Sequence, residues 1–65
     1  MIFATYYLES IYGPVLLKRK EETEPKCDDI IEIDGEKYRI IKSAYDYEMW
    51  QWLKTYWYTV LVRKL

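Results

Sequence analysis

Ile30-Ile31-Glu32-Ile33-Asp34-Gly35-Glu36-Lys37-Tyr38-Arg39-Ile40-Ile41 consists of two β-prone runs separated by Asp-Gly, and its reading decides the fold. Asp34-Gly35 suits the two central positions of a type I′ turn, which require positive φ and match the twist of the flanking strands. With that loop, Ile33 lies opposite Glu36, Glu32 opposite Lys37, Ile31 opposite Tyr38 and Ile30 opposite Arg39. Strand alternation puts Ile31, Ile33, Tyr38 and Ile40 on one face, expected to be the core side, and Glu32, Lys37 and Arg39 on the other with Ile30 and Ile41. The opposite charges of Glu32 and Lys37 and the branched-aromatic pair Ile31 and Tyr38 each contribute a few tenths to about 1 kcal/mol.

Outward from this hairpin, Ile2 to Leu8 is rich in β-formers, Gly13-Pro14 signals a turn, and Val15 to Lys20 forms a second β-prone run, so a second antiparallel hairpin is expected. Pro14 cannot donate to a ladder and belongs at a strand start or on an edge. Glu21 to Asp29 is polar, contains Pro25 and has no periodicity, which makes it a loop. Tyr58 to Leu65 alternates as a final strand.

Between these last elements, seven of the fourteen positions from Tyr45 to Tyr58 are large aromatics. Two periodicities compete there. Read as a helix from about Tyr47, Glu48, Gln51 and Thr55 form a polar stripe opposite Met49, Trp50, Trp52, Leu53, Tyr56 and Trp57, with Asp46 as cap. Read as strand, Trp50 and Trp52 share a face, and the β-propensity of Trp and Tyr supports that. The helical stripe is better defined. The expected fold is a small, mostly β (α+β) single domain over residues 1–65: a twisted antiparallel meander or small SH3-like barrel of about five strands, with one short helix before the last.

Sixty-five residues leave room for one domain, and the initiating methionine suits a complete small gene product. A lone core of this size yields roughly 3–5 kcal/mol of net stability, so a staple or a partner subunit is expected. Cys27 is the only cysteine and there is no histidine, so neither an intrachain disulfide nor a zinc site supplies the staple. With 51% hydrophobic and 32% charged residues the chain is expected to be ordered, and a net charge of −1 provides no overall attraction to nucleic acid or an anionic membrane. No apolar run approaches the roughly 20 residues of a membrane span, and no signal-peptide pattern is present, so cytoplasmic residence is the default.

Catalysis lacks its usual residues. Without histidine the commonest base near neutral pH is missing, and Cys27 has no imidazole to activate it. The paired acids Asp28-Asp29 and Glu21-Glu22 read as solvated loop charges, and two glycines cannot build a phosphate-cradling loop. Cys27 itself reads as an unreactive free thiol. The acidic loop could imitate the phosphate spacing of DNA, but mimics of that kind carry a strong negative excess. No catalytic residue, metal or cofactor is expected, and the chain is read as no enzyme.

The aromatic segment carries the functional expectation. Trp50, Leu53 and Trp57 are assigned to the core, leaving Tyr45, Tyr47, Trp52, Tyr56 and Tyr58 as a partner-binding set, because Tyr and Trp combine an apolar face, a polar tip and few rotors. A protein partner and a homodimer are expected. The second choice is single-stranded nucleic acid or a nucleotide, with rings stacking on bases beside Lys37, Arg39, Lys42, Lys54, Arg63 and Lys64, although Glu32, Glu36, Asp46 and Glu48 interrupt that groove. The run from Ile31 to Ile41 resembles the central hairpin of many small β-rich proteins from Gram-positive bacteria and their phages, a likeness that implies a turn and transfers no site residue. The whole chain is similar in kind to phage-encoded inhibitors of host or defence proteins, which implies a non-catalytic inhibitor acting in the host cytoplasm.

Overall fold

The structure, a computed structural model, describes residues 1–46 and 55–65. It contains β1 (Ile2–Leu8), β2 (Val15–Glu21), β3 (Ile30–Ile33), β4 (Glu36–Asp46) and β5 (Tyr56–Lys64). These form one sheet in the order β2-β1-β5-β4-β3, curled into a half-barrel.

The β3–β4 hairpin has the register read from its turn, Ile33 opposite Glu36 through Ile30 opposite Arg39. Asp34 and Gly35 both take positive φ, 52° and 82°, the geometry a type I′ turn requires. β1 and β2 form the second antiparallel hairpin, and Pro14 immediately precedes β2 on the sheet's edge, where its missing N–H costs nothing. Gly13 is needed in that connection: a Cβ there would sit 2.1 Å from the Leu8 carbonyl oxygen.

Two expectations are corrected. An antiparallel meander accounts for β3-β4-β5 only; β1 and β5 pair in parallel at the centre, Ile2 opposite Tyr56 through Leu8 opposite Val62, so the sheet is mixed. Among the described residues there is no helix. Tyr56 and Trp57, placed by spacing at the end of one, open β5 instead, because both neighbouring strands offer them ladder partners: the Tyr56 amide donates to the Met1 carbonyl at 2.8 Å and Trp57 lies opposite both Phe3 and Asp46. The rest of that expected helix, residues 47–54, lies outside the described residues.

The core lies on the concave face. Ala4 and Tyr6 of β1, Ile33 and Ile40 of the hairpin, and Val60 and Val62 of β5 are buried, with Leu16, Leu17, Ile31, Tyr38 and Tyr58 packed against them. A register shift at Ile41, between Ile40 and Lys42, lets the eleven residues of β4 serve both neighbours while bending the strand. The loop 22–29 passes from one edge strand to the other across this concavity. Pro25 is buried and its carbonyl accepts a 2.8 Å hydrogen bond from the Ser43 hydroxyl, while the Asp28 amide donates to Ile40 and the Ile40 amide to Asp29.

Candidate functional site

The first residues of β1 and β5 and the last of β4 converge at one end of the sheet, and strand alternation sends their aromatics to opposite faces. On the concave side Tyr45 and Tyr58 are direct cross-strand partners with ring centroids 5.5 Å apart in an edge-to-face arrangement, and Tyr45 also meets Tyr56 at 5.9 Å. On the convex side Phe3 stacks on Trp57 at 4.9 Å with 22° between the planes.

Three of the five expected binding residues, Tyr45, Tyr56 and Tyr58, are thus brought together. Tyr45 and Tyr56 are exposed, whereas Tyr58 is half-buried against the core. Burial raises the Tyr58 phenol above its ordinary range, helped by the charge of Glu24 and a hydrogen bond to it. Tyr47 and Trp52 lie outside the described residues, as do Trp50 and Leu53 of the expected core.

Trp57, assigned to the core, is 47% exposed. The assignment followed a helical period, but in β5 the period is two and the buried positions are Val60 and Val62, which leaves Trp57 on the other face. Phe3 was not singled out in the sequence, because its significance comes from lying opposite Trp57 across a parallel pairing that no local signal announces.

Beside the concave rings, between β1 and β2, lies a polar network. The buried Tyr6 hydroxyl donates to the Glu21 carboxylate at 2.9 Å, the Arg19 guanidinium pairs with the same carboxylate, and Arg19 sits 5.3 Å above the Tyr6 ring. Burial first, then the bond to Glu21, pushes the Tyr6 phenol up to about 12. The bond to Glu21 likewise holds the Arg19 guanidinium above its usual value. A phenol this hard to ionise is no base at neutral pH, and the network serves to satisfy a buried hydroxyl. A groove of about 600 Å³ opens next to it, lined by Met1, Ile2, Lys20, Glu21, Glu22 and Tyr56.

The convex face is organised in rows across the strands. Lys20, Phe3, Trp57 and Asp46 form one row; Lys18, Thr5, Thr59 and Ala44 the next; then Val15, Tyr7, Leu61 and Lys42; then Arg63 and Arg39. All five of these cations are exposed. Of the cations expected beside the rings, Lys37, Arg39, Lys42 and Arg63 belong to this face, Lys64 turns to the other and pairs with Glu36 at 3.3 Å, and Lys54 lies outside the described residues. Lys18 and Lys20 were not among them, having been read only as part of the β-prone run from Val15 to Lys20; alternation brings both to the convex side.

Among the described residues no three His, Cys, Asp or Glu side chains are grouped to hold a metal, and no helix is long and apolar enough to cross a membrane. The Cys27 thiol is exposed and donates to the Ile41 carbonyl at 3.3 Å. Comparison with family models, curated proteins and solved structures returns no match.

Proposed function

We propose that this chain is a non-enzymatic binding protein that docks an aromatic surface of its sheet onto a macromolecular partner. The observation that carries the reading is the gathering of Phe3, Tyr45, Tyr56, Trp57 and Tyr58 at one end of the sheet, with Tyr45, Tyr56 and Trp57 left 49%, 39% and 47% exposed. Rings that only filled the core would be covered by it, and exposed rings held rigid by their neighbours lose little entropy on binding.

Self-association belongs to the same proposal, since a small domain with exposed rings gains burial from a second copy. An inhibitor role follows naturally for a chain that binds without a reaction of its own, and a captured protein whose activity falls on binding would establish it. The direct test compares the wild-type chain with a Tyr45→Ser/Trp57→Ser variant. Light scattering after size exclusion is expected to return twice the 8.1 kDa chain mass for the wild type and one chain mass for the variant. Immobilised wild-type chain is expected to retain a host component that the variant does not. Identical mass and identical retention for both chains would refute the proposal.

A further inference from the structure

We propose that the convex face of the sheet binds single-stranded nucleic acid, with bases stacking at Trp57, Phe3 and Tyr7 and the sugar-phosphate backbone running along the cations on either side. The inference rests on the docking reading above and names its partner.

The first support is the separation of charge. The chain has 10 basic and 11 acidic residues and a net charge of −1, so it looks electrically neutral. In the fold the two signs part. Glu21, Glu22 and Glu24 belong to the end of β2 and to the loop that crosses the concave side, and Glu36 pairs with Lys64 on that side too. The convex face carries six cations, Lys18, Lys20, Lys37, Arg39, Lys42 and Arg63, against four acids: Glu32 on the β3 edge, Asp46 opposite Trp57 at the end of β4, Asp28 beside Arg39, and Glu9, which pairs with Arg63 at 3.0 Å beyond the end of β1. A surplus of cations on one face attracts a polyanion even when the whole molecule is close to neutral.

The second is the placement of rings among those cations. Phe3, Tyr7 and Trp57 stand on β1 and β5, the second and third strands of the sheet, while Lys18 and Lys20 flank them on β2 and Lys42 and Arg39 on β4. Neighbouring strands are about 4.8 Å apart, so bases seated on the central rings leave their phosphates within reach of long side chains on the outer strands. Between the rows, Thr5, Thr59 and Ala44 leave room, and a hollow of about 250 Å³ opens beside Lys42, Ala44, Thr59 and Leu61.

The third is Arg39 directly opposite Arg63. Like charges in that position disfavour the sheet, and a bound phosphate would relieve the conflict. A hollow of about 270 Å³ adjoins the pair, lined by Arg39, Arg63 and Lys64 together with Ile41, Leu65 and Asp28.

The same features argue against a protein partner on this face, because lysine is depleted at the centres of protein interfaces. They also argue against duplex, whose base faces are stacked inside and offer nothing to a ring.

The test is a fluorescence-anisotropy titration of the full chain with labelled oligo-dT of about 12 nucleotides, a length suited to one small sheet. Binding is expected at about 50 mM salt and to weaken steeply with added salt, by about 0.7 in log–log slope per phosphate neutralised. Trp57→Ala is expected to weaken it at least about tenfold, the loss typical of one stacked base. Lys18→Gln/Lys20→Gln is expected to lower the salt slope by about 1.4, for two phosphates. Trp57→Phe keeps a stacking ring and should retain most of the affinity, which guards against Trp57→Ala simply unfolding. Absence of binding at roughly 100 μM chain, equal affinity for polyglutamate or for a matched duplex, or equal affinity in the tryptophan and lysine variants overturns the proposal. Should oligonucleotide binding fail while the wild-type chain still dimerises or retains a protein that Tyr45→Ser/Trp57→Ser loses, the partner assignment falls and the docking reading stands.

Discussion

Trp57 and Tyr58 are consecutive residues of one strand, yet they occupy regions built to different ends. Tyr58 points into the concavity, where every buried strand residue of the described chain is found and a loop crosses, tied to Ser43 through the Pro25 carbonyl. Trp57 points to the convex side, where the strand residues are half-buried or exposed and lysines and arginines stand beside the rings. The concave face holds the chain together, and the convex face has large side chains that contribute little to that task. In so small a domain this division shows how an aromatic-rich sequence can be both marginally stable and well supplied with binding surface: the rings are shared between the two duties by strand alternation.

The division is most directly broken by emptying the concave side. Tyr6→Ala removes a buried ring and is expected to cost about 3–5 kcal/mol, comparable to the whole stability of a domain this size. Circular dichroism should find that variant unfolded at 25 °C; a cooperative urea transition close to wild type would show that the core lies elsewhere.

Alkaline pH attacks the same side more gently. The Tyr6 phenol is raised in the folded chain from 10 to about 12, so the folded state holds this proton more tightly than the unfolded one. Its contribution is fully present below pH 10 and is lost as pH rises through 12, by roughly 2–3 kcal/mol. Urea midpoints measured from pH 8 to 12 should fall in that window, and in Tyr6→Phe the fall should be reduced.

Convex substitutions should cost far less. The Phe3–Trp57 stack is expected to show a coupling of about 0.5–1.5 kcal/mol in a double-mutant cycle to Ala, while either single variant remains folded. If Trp57→Ala proves as damaging as Tyr6→Ala, the two faces are not divided as described. Smallest of all should be Arg63→Gln, which removes an exposed ion pair with Glu9 and also the repulsion from Arg39. Exposed pairs contribute about 0–1 kcal/mol, so thermal melts should show a change within about 1 kcal/mol of zero, with a gain in stability at low salt sharpening the case that the arginine pair is held for a ligand.

What could be read before the fold was seen follows the range of the interactions involved. The β3–β4 hairpin was legible residue by residue because turn chemistry is local: Asp34-Gly35 determines the register of its neighbours with no help from the rest of the chain. The β1–β2 hairpin was legible for the same reason. The parallel union of β1 and β5 was not, since nothing near Ile2 indicates that its partner is Tyr56, and the curled mixed sheet follows from that union. The site was legible as a composition and not as an arrangement. Tyr45, Tyr56 and Tyr58 were expected at a surface and are grouped on the concave rim, but a helical period applied to a strand put Trp57 in the core, and that error concealed both Phe3 and the row of Lys20 beside it.

The pairing of Ile2 with Tyr56 also determines when this protein can exist. In chain order β1 precedes and β5 follows the other three described strands. Until β5 has emerged, β1–β2 and β3–β4 are two hairpins with no shared sheet, and isolated hairpins are marginal in water. Folding must then wait for a contact spanning most of the chain, the circumstance associated with slow folding, on the order of milliseconds to seconds. A nascent chain that stalls before residue 56 would expose the concave apolar residues of both halves, so for this molecule translation speed and the supply of chaperones are part of the conditions under which its binding surface is ever assembled.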